Sequence, residues 1–366
     1  MRKIGNVILS VAKNLKSLVL IIIIGTLAAC DVHEWPDVPE QLPLEIALDY
    51  DKVHLFDTDM TPWEHTYDGT TVFEQGYGDV YDNRRDYGTK RYIIRAYPVS
   101  MKQRTAQQHV KELIIERDIK HGYEHEMSIE LAPGDYDIMV WSDMVPSGWL
   151  GDYFYNADNF AEISLQGEHR ANCEWRDAFR GTTRVSIQPY VTDREPDCIE
   201  VEMKRPLARY EFITTDLKEF MDKELEYLRS EAATRGEAPP TRVDINDYSI
   251  MVYYYGFMPN TYNMFTDKPV DSTTGVSYES SIDVLNDNEA SIGFDYVFVN
   301  GKESAVTVQI GIYNKENEQL AMSNPINVPL RRSYNTIMKG SFLMQQASGG
   351  ITIIPDFDGE HNFIIP

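Results

Sequence analysis

The sequence predicts a mostly β protein built as two tandem β-sandwich domains, with one short amphipathic helix in the second. Three observations predict it. Short segments with period-two alternation of apolar and polar residues recur along the chain. Turn signals such as Ala132-Pro-Gly-Asp135, Asn300-Gly301, Asn314-Lys-Glu-Asn317 and Asp358-Gly359 separate them. Tyrosine is abundant, with 23 residues, and aromatic rings suit sheet faces better than helical bundles.

The chain opens on Arg2, Lys3, Lys13 and Lys16 without an acid, followed by the apolar run Leu18 to Leu27 and then Ala28-Ala29-Cys30. A basic start, a short apolar core and small residues at the end make a secretory signal over residues 1–29. The core is well short of the roughly 20 residues that a spanning helix needs. Leu27-Ala28-Ala29-Cys30 resembles the bacterial lipobox, in which the cysteine thiol is diacylated and the chain is cut just before it. Cys30 is therefore expected to carry lipid, and several acyl chains hold a protein far more firmly than one. The resulting expectation is a protein anchored to a membrane with its body outside the cytoplasm; the cell outer membrane is favoured, although Asp31 follows the cysteine and in some bacteria that retains a lipoprotein at the inner membrane.

Residues 30–40 are acidic, contain two prolines and read as an extended tether. Alternation begins after them, with Leu42, Leu44, Ile46, Leu48 and Tyr50 on one face. It recurs over 91–99, 110–117, 126–131, 136–141, 183–190 and 199–203, then over 208–214, 248–255, 292–299 and 305–313, and last over 337–343, 351–354 and 362–365. One segment breaks the pattern. Asp216 could cap a helix, with Glu219 completing a capping box. Leu217, Phe220, Met221, Leu225 and Leu228 then share a helical face over 216–230. The loop after it, 234–242, carries Gly236, Pro239 and Pro240 and is expected to be the first site of proteolysis. The polar stretch Asp193-Arg-Glu-Pro-Asp197 suggests a division between domains near 193–206, with the domains written as 41–197 and 198–366.

Charge narrows the function. Removing residues 1–29 leaves 30 basic against 58 acidic side chains, a net charge of −28. Such a body is not expected to bind nucleic acid, which needs a basic face. Cys173 and Cys198 remain after Cys30. A disulfide between them would add about 3 kcal/mol on the chain-entropy model. Two separate thiols are equally consistent with the sequence.

Catalytic motifs are missing. The chain has no Gly-x-Ser-x-Gly elbow, phosphate-binding loop or dinucleotide fingerprint. With 58 acids, carboxylate pairs say nothing about hydrolysis. His121 and His125 are four apart, but Gly122 intervenes and Glu126 lies outside the pair, so a zinc site is not expected. The Gly- and Asp-rich stretch 68–86 does not follow the EF-hand spacing. The chain is read as a non-enzyme without metal or cofactor. Trp141, Trp149 and Trp175, with Tyr153, form the aromatic group best suited to stacking on sugar rings. The plainer reading, which is preferred, ends a core strand at Trp141 and packs the others beneath a long loop.

Three segments carry a family resemblance. Val328-Pro-Leu-Arg-Arg-Ser-Tyr-Asn-Thr-Ile-Met-Lys-Gly-Ser-Phe-Leu343 resembles the fimbrillin signature of a basic-polar turn leading into a strand. Lys204 to Phe212 resembles the strand that opens the second domain of those proteins, and Leu131 to Trp141 a strand of the first. On these residues the chain is identified as similar to the fimbrillin-like surface lipoproteins of Bacteroidota. The resemblance implies two transthyretin-like sandwiches, a place in or beside surface fimbriae, and other fimbrial subunits or a surface glycan as partners. In that family an arginine-directed protease removes the lipid-bearing segment and first strand of polymerising subunits. Here no arginine occurs between Cys30 and Asn83. The departure implies a subunit that keeps its lipid, an anchor-type or stand-alone member.

Overall fold

The computed structural model describes residues 41–49, 63–67, 70–74, 89–100, 108–117, 127–189, 197–344 and 362–365. Cys30, the tether before residue 41, the His121–His125 pair and the strand expected over 351–354 lie outside them. Most of the glycine-rich stretch 68–86 lies outside too.

The first half runs β1 (Leu42–Asp49), β2 (Trp63–Tyr67), β3 (Thr70–Glu74), β4 (Thr89–Pro98), β5 (Lys111–Arg117) and β6 (Met127–Leu131). It continues with β7 (Gly134–Val145), β8 (Tyr155–Asn156), β9 (Ile163–Leu165), β10 (Ala178–Ile187) and β11 (Asp197–Lys204). The second half runs β12 (Leu207–Thr214), α1 (Leu217–Arg235), β13 (Tyr248–Tyr254), β14 (Met258–Asn263), β15 (Lys268–Thr273), β16 (Ser277–Ser280) and β17 (Asp283–Val284). It ends with β18 (Ala290–Phe298), β19 (Glu303–Asn314), β20 (Gln319–Met322), β21 (Ile326–Arg331), β22 (Asn335–Gly340) and β23 (Asn362–Ile365).

In the first half the strand order is β5-β4-β7-β10-β11-β1-β6. β11 passes from one layer to the other, since Asp197 to Glu202 pair with β1 while only Met203 and Lys204 pair with β10. Strands that switch sheets form the corners of packed sheets. The corner requires Gly181: a Cβ there would sit 2.5 Å from a Val201 methyl and 3.1 Å from the Glu202 carbonyl oxygen. Leu44, Ile46, Leu48, Tyr92, Ile94, Ile138, Val140, Val201 and Met203 fill the space between the layers. β1 lies inside this arrangement, parallel to β11 on one side and antiparallel to β6 on the other.

The second half stacks the sheet β17-β18-β12-β22-β23 on the sheet β16-β13-β19-β20, with β21 also paired to β19. Its core includes Phe212, Ile250, Val252, Ile292, Val308, Ile310 and Met338. Both halves are thus mostly β, as the alternation predicts. β11 belongs to the first sheet and β12 opens the second half, so the change of sheet falls at Arg205-Pro206, at the far end of the 193–206 stretch and later than 197/198. Alternation alone could not show this, because both strands alternate and the polar stretch before β11 resembles a linker.

The helix is also longer than expected, ending at Gly236 with φ 69°. That left-handed position suits glycine, and the Gly236 and Glu237 N–H groups donate back to Ala233 and Ala232. Phe220 packs edge-on to Tyr248 with ring centroids 5.1 Å apart. The expected capping box does not form. Asp216 instead accepts the Thr214 hydroxyl and the backbone N–H groups of Leu343 and Met344, tying the helix start to the end of the β22 segment.

Candidate functional site at the junction of the halves

The connection between β7 and β10 spans residues 146 to 177 and does not behave as a surface loop. It lies over the outer face of β4, β7 and β10, which is why β4 is buried along nearly its whole length. Its strands β8 and β9 extend a four-stranded sheet, β15-β14-β9-β8, shared by both halves. Beneath it, Ile93, Tyr97, Met139 and Trp141 of the first half meet Tyr262, Tyr296 and Phe298 of the second in one buried cluster. Tyr262 stacks on Phe298 at 5.4 Å.

Ion pairs surround this apolar centre. Arg205, in the link itself, donates to Asp177 at 2.8 Å with both side chains 1% exposed. Arg209 donates to Glu174 at 3.0 Å, and Tyr296 donates its hydroxyl to the other Glu174 oxygen at 2.6 Å. Asp295 of β18 accepts from Arg176, from His169 at 2.7 Å and from the Tyr254 hydroxyl at 2.6 Å. Burial alone would push the Asp295 carboxyl up, but Arg176 and His169 beside it hold it below the usual carboxylate range. Burial pushes the Tyr254 and Tyr210 hydroxyls well up, so both remain neutral donors. Arg180 adds a bond to the Met264 carbonyl at 3.0 Å.

On the outer face of the first half Arg91 fixes the start of the loop. It donates twice to Asp143, at 2.8 and 2.6 Å, and again to Asp152 at 2.9 Å and to the Leu150 carbonyl at 3.3 Å. These are charge-assisted bonds in a geometry that a planar guanidinium suits. Alternating strands signalled a core on one face of β4, β7 and β10. The opposite face carried Arg91, Arg95, Asp137 and Asp143, which reads as solvated surface, so the burial of that face was missed. The one available signal was the pairing of opposite charges at matching positions of successive strands.

The candidate sugar-stacking group divides. Trp141 is fully buried, packs edge-on to Tyr155 at 5.4 Å and donates its indole N–H to Asp143 at 3.1 Å. It cannot meet a ligand. Trp175 is half-buried against the junction cluster. Trp149 and Tyr153 are exposed, at 53% and 36%, although packing beneath the loop was the preferred expectation. No disulfide joins Cys173 to Cys198: Cys173 is half-buried at the junction and Cys198 is exposed on β11. Among the described residues no group of three or more His, Cys, Asp or Glu side chains is placed to hold a metal ion. Among them, too, no helix is long and apolar enough to cross a membrane.

A family model described as "Family of unknown function (DUF6562)" matches residues 55–366. The chain belongs to that family. No curated protein matches it. Solved structures to which this DUF6562 member is similar include a protein proposed to be an adhesin from Bacteroides ovatus. The identity is 12%, over 77% of this chain and 75% of that one, with a TM-score of 0.37. The fimbrial anchor protein Mfa2 from Porphyromonas gingivalis is 12% identical over 78% and 81% of the two chains, with a TM-score of 0.38. The tip fimbrial protein Mfa3 from the same organism is 10% identical over 79% and 81%, with a TM-score of 0.35.

Proposed function

We propose that this chain is a lipid-anchored cell-surface protein with a structural and adhesive role, an anchor-type or stand-alone relative of fimbrial subunits. The observation that carries the reading is the seat of β1. Leu44, Ile46 and Leu48 are each at most 3% exposed, and the strand is paired along both edges inside the first sandwich. Removing it would open the core from Met127 to Met203. The absence of arginine between Cys30 and Asn83 agrees with a first strand that stays in place. Lipid on Cys30 would then hold the body at the outer membrane permanently. The locked junction supports the same role, because two halves joined by buried ion pairs transmit force as one body. The test is the N-terminus of protein isolated from cells. It is expected at lipidated Cys30, and Cys30→Ser should abolish labelling by a fatty-acid probe. A mature chain starting near Tyr87 overturns the reading.

A second reading rests on Trp149 and Tyr153. Both rings are exposed on a loop that Arg91 and Asp152 hold in place, a surface on which a glycan could stack.

A further inference from the structure

Exposed aromatic rings are not confined to the 146–154 loop. Tyr255 is 61% and Phe257 is 74% exposed, in the turn between β13 and β14 of the second half. The segment Gln166 to Arg170, which follows β9, links the two places. Arg170 lies over the Tyr153 ring at 5.1 Å, and its neighbour His169 packs edge-on to Tyr254 at 5.8 Å. β9 also runs antiparallel between β14 and β8, with Thr261 opposite Ser164 on one side and Tyr155 opposite Leu165 on the other, so the residues after β9 pass between the loop carrying Tyr153, which leads into β8, and the turn carrying Tyr255 and Phe257, which leads into β14. Gln166, Glu168 and Arg170 of that stretch are exposed and hydrogen-bond capable.

We propose that Trp149, Tyr153, Tyr255 and Phe257 form a single glycan-binding rim that spans the junction, its occupant a neutral oligosaccharide of several sugar units. The proposal rests on the second reading above and extends it across the molecule. Three observations select the occupant. The exposed groups at this place are mainly rings and not aliphatic chains, and flat rings offer the apolar faces of sugars a surface while leaving their hydroxyls wet. Polar side chains lie between the rings, where sugar hydroxyls need partners. A mature chain with 30 basic against 58 acidic side chains, a net charge of −28, repels anionic polymers and anionic lipid surfaces alike. The rim is also preformed. The Tyr255 N–H donates to the Thr307 carbonyl at 2.7 Å, and Asp152 accepts both Arg91 and the Ala157 N–H. Little ordering entropy is then lost on binding.

The test is affinity electrophoresis of the full mature chain carrying Cys30→Ser. The gels contain dextran, yeast mannan, galactomannan or xyloglucan, with heparin and hyaluronan as anionic comparisons. At least one neutral polysaccharide is expected to retard the protein. Trp149→Ala and Phe257→Ala should each weaken that retardation about tenfold while leaving the melting temperature unchanged, since both side chains are exposed. If no neutral polysaccharide retards the protein, the rim and the second reading both fall. If Trp149→Ala abolishes retardation while Phe257→Ala and Tyr255→Ala match the wild type, the second reading stands and the junction-spanning rim is wrong. Retardation by heparin or hyaluronan alone overturns the proposal. So does concentration-dependent self-association lost in Phe257→Ala without any glycan binding, which would make the rim a contact between copies of this chain.

Discussion

Asp295 shows how single residues hold the molecule together. Its buried carboxylate collects Arg176, His169 and Tyr254. Removing one partner of a buried pair leaves the other charge uncompensated, at a cost of about 3 to 5 kcal/mol. Asp295→Asn should therefore lower the free energy of urea unfolding by that amount. Breaking the exposed Lys218–Asp222 pair with Lys218→Ala should leave it nearly unchanged. Equal effects would mean that the junction cluster is not the strong point. Lys90 works in the opposite direction. Burial pushes its ammonium down to about 8, with Asp177 opposing and Arg205 adding to the fall. A base with a folded pKa below its unfolded one carries a cost that is fully present below the folded pKa. That cost fades as pH rises towards the unfolded value. Relative to Lys90→Met, the wild type should gain stability between about pH 8 and pH 10, by up to about 1.4 kcal/mol per pH unit. A difference between the two proteins that stays constant over that range contradicts the assignment.

At the scale of elements, the strands and the helix differ in how much of them local sequence explains. β1 and β6 alternate cleanly, because one face meets the core and the other does not. β4 and β7 break that rule, since the 146–177 connection covers their second face. The short strands β8, β9, β14, β15 and β16 were not foreseen. They hold few apolar residues at period two, and pairing across the junction holds β8, β9, β14 and β15 in one sheet. The segment after α1 has residues 236 to 239 exposed, as its composition suggests. Brief trypsin treatment should cut after Arg235 or Arg242 and leave the two fragments associated, with the far-UV circular dichroism retained. A first cut inside 146–177, at Arg170 or Arg176, would show that the junction opens more readily than its burial indicates.

For the whole molecule, the apolar cluster under the connection belongs to both halves. Neither half can close its own surface alone, so the two should unfold together. Calorimetry of the mature Cys30→Ser chain should give one transition with equal calorimetric and van't Hoff enthalpies. Two resolved transitions would separate the halves and weaken the case for a body that transmits force. A rigid two-sandwich unit suits the proposed anchor role, and it would also hold the rings of the proposed rim, which come from both halves, in fixed positions.

The sequence by itself determined the β character, most of the long strands, the position of the helix and the acidic body, because alternation, turn residues and net charge are local or additive properties. Its terminal residues also supply the expectation of lipid on Cys30. Only the tertiary structure decided that β11 belongs to the first half, that Trp149 and Tyr153 stay exposed, and that Arg91, Arg176, Arg205 and Arg209 lie inside and not in solvent. The physical reason is that burial of a charged face depends on what a distant segment lays over it. A charged residue on a strand has the same pattern in the sequence whether its partner is water or an arginine more than a hundred residues away, as Asp295 and Arg176 are.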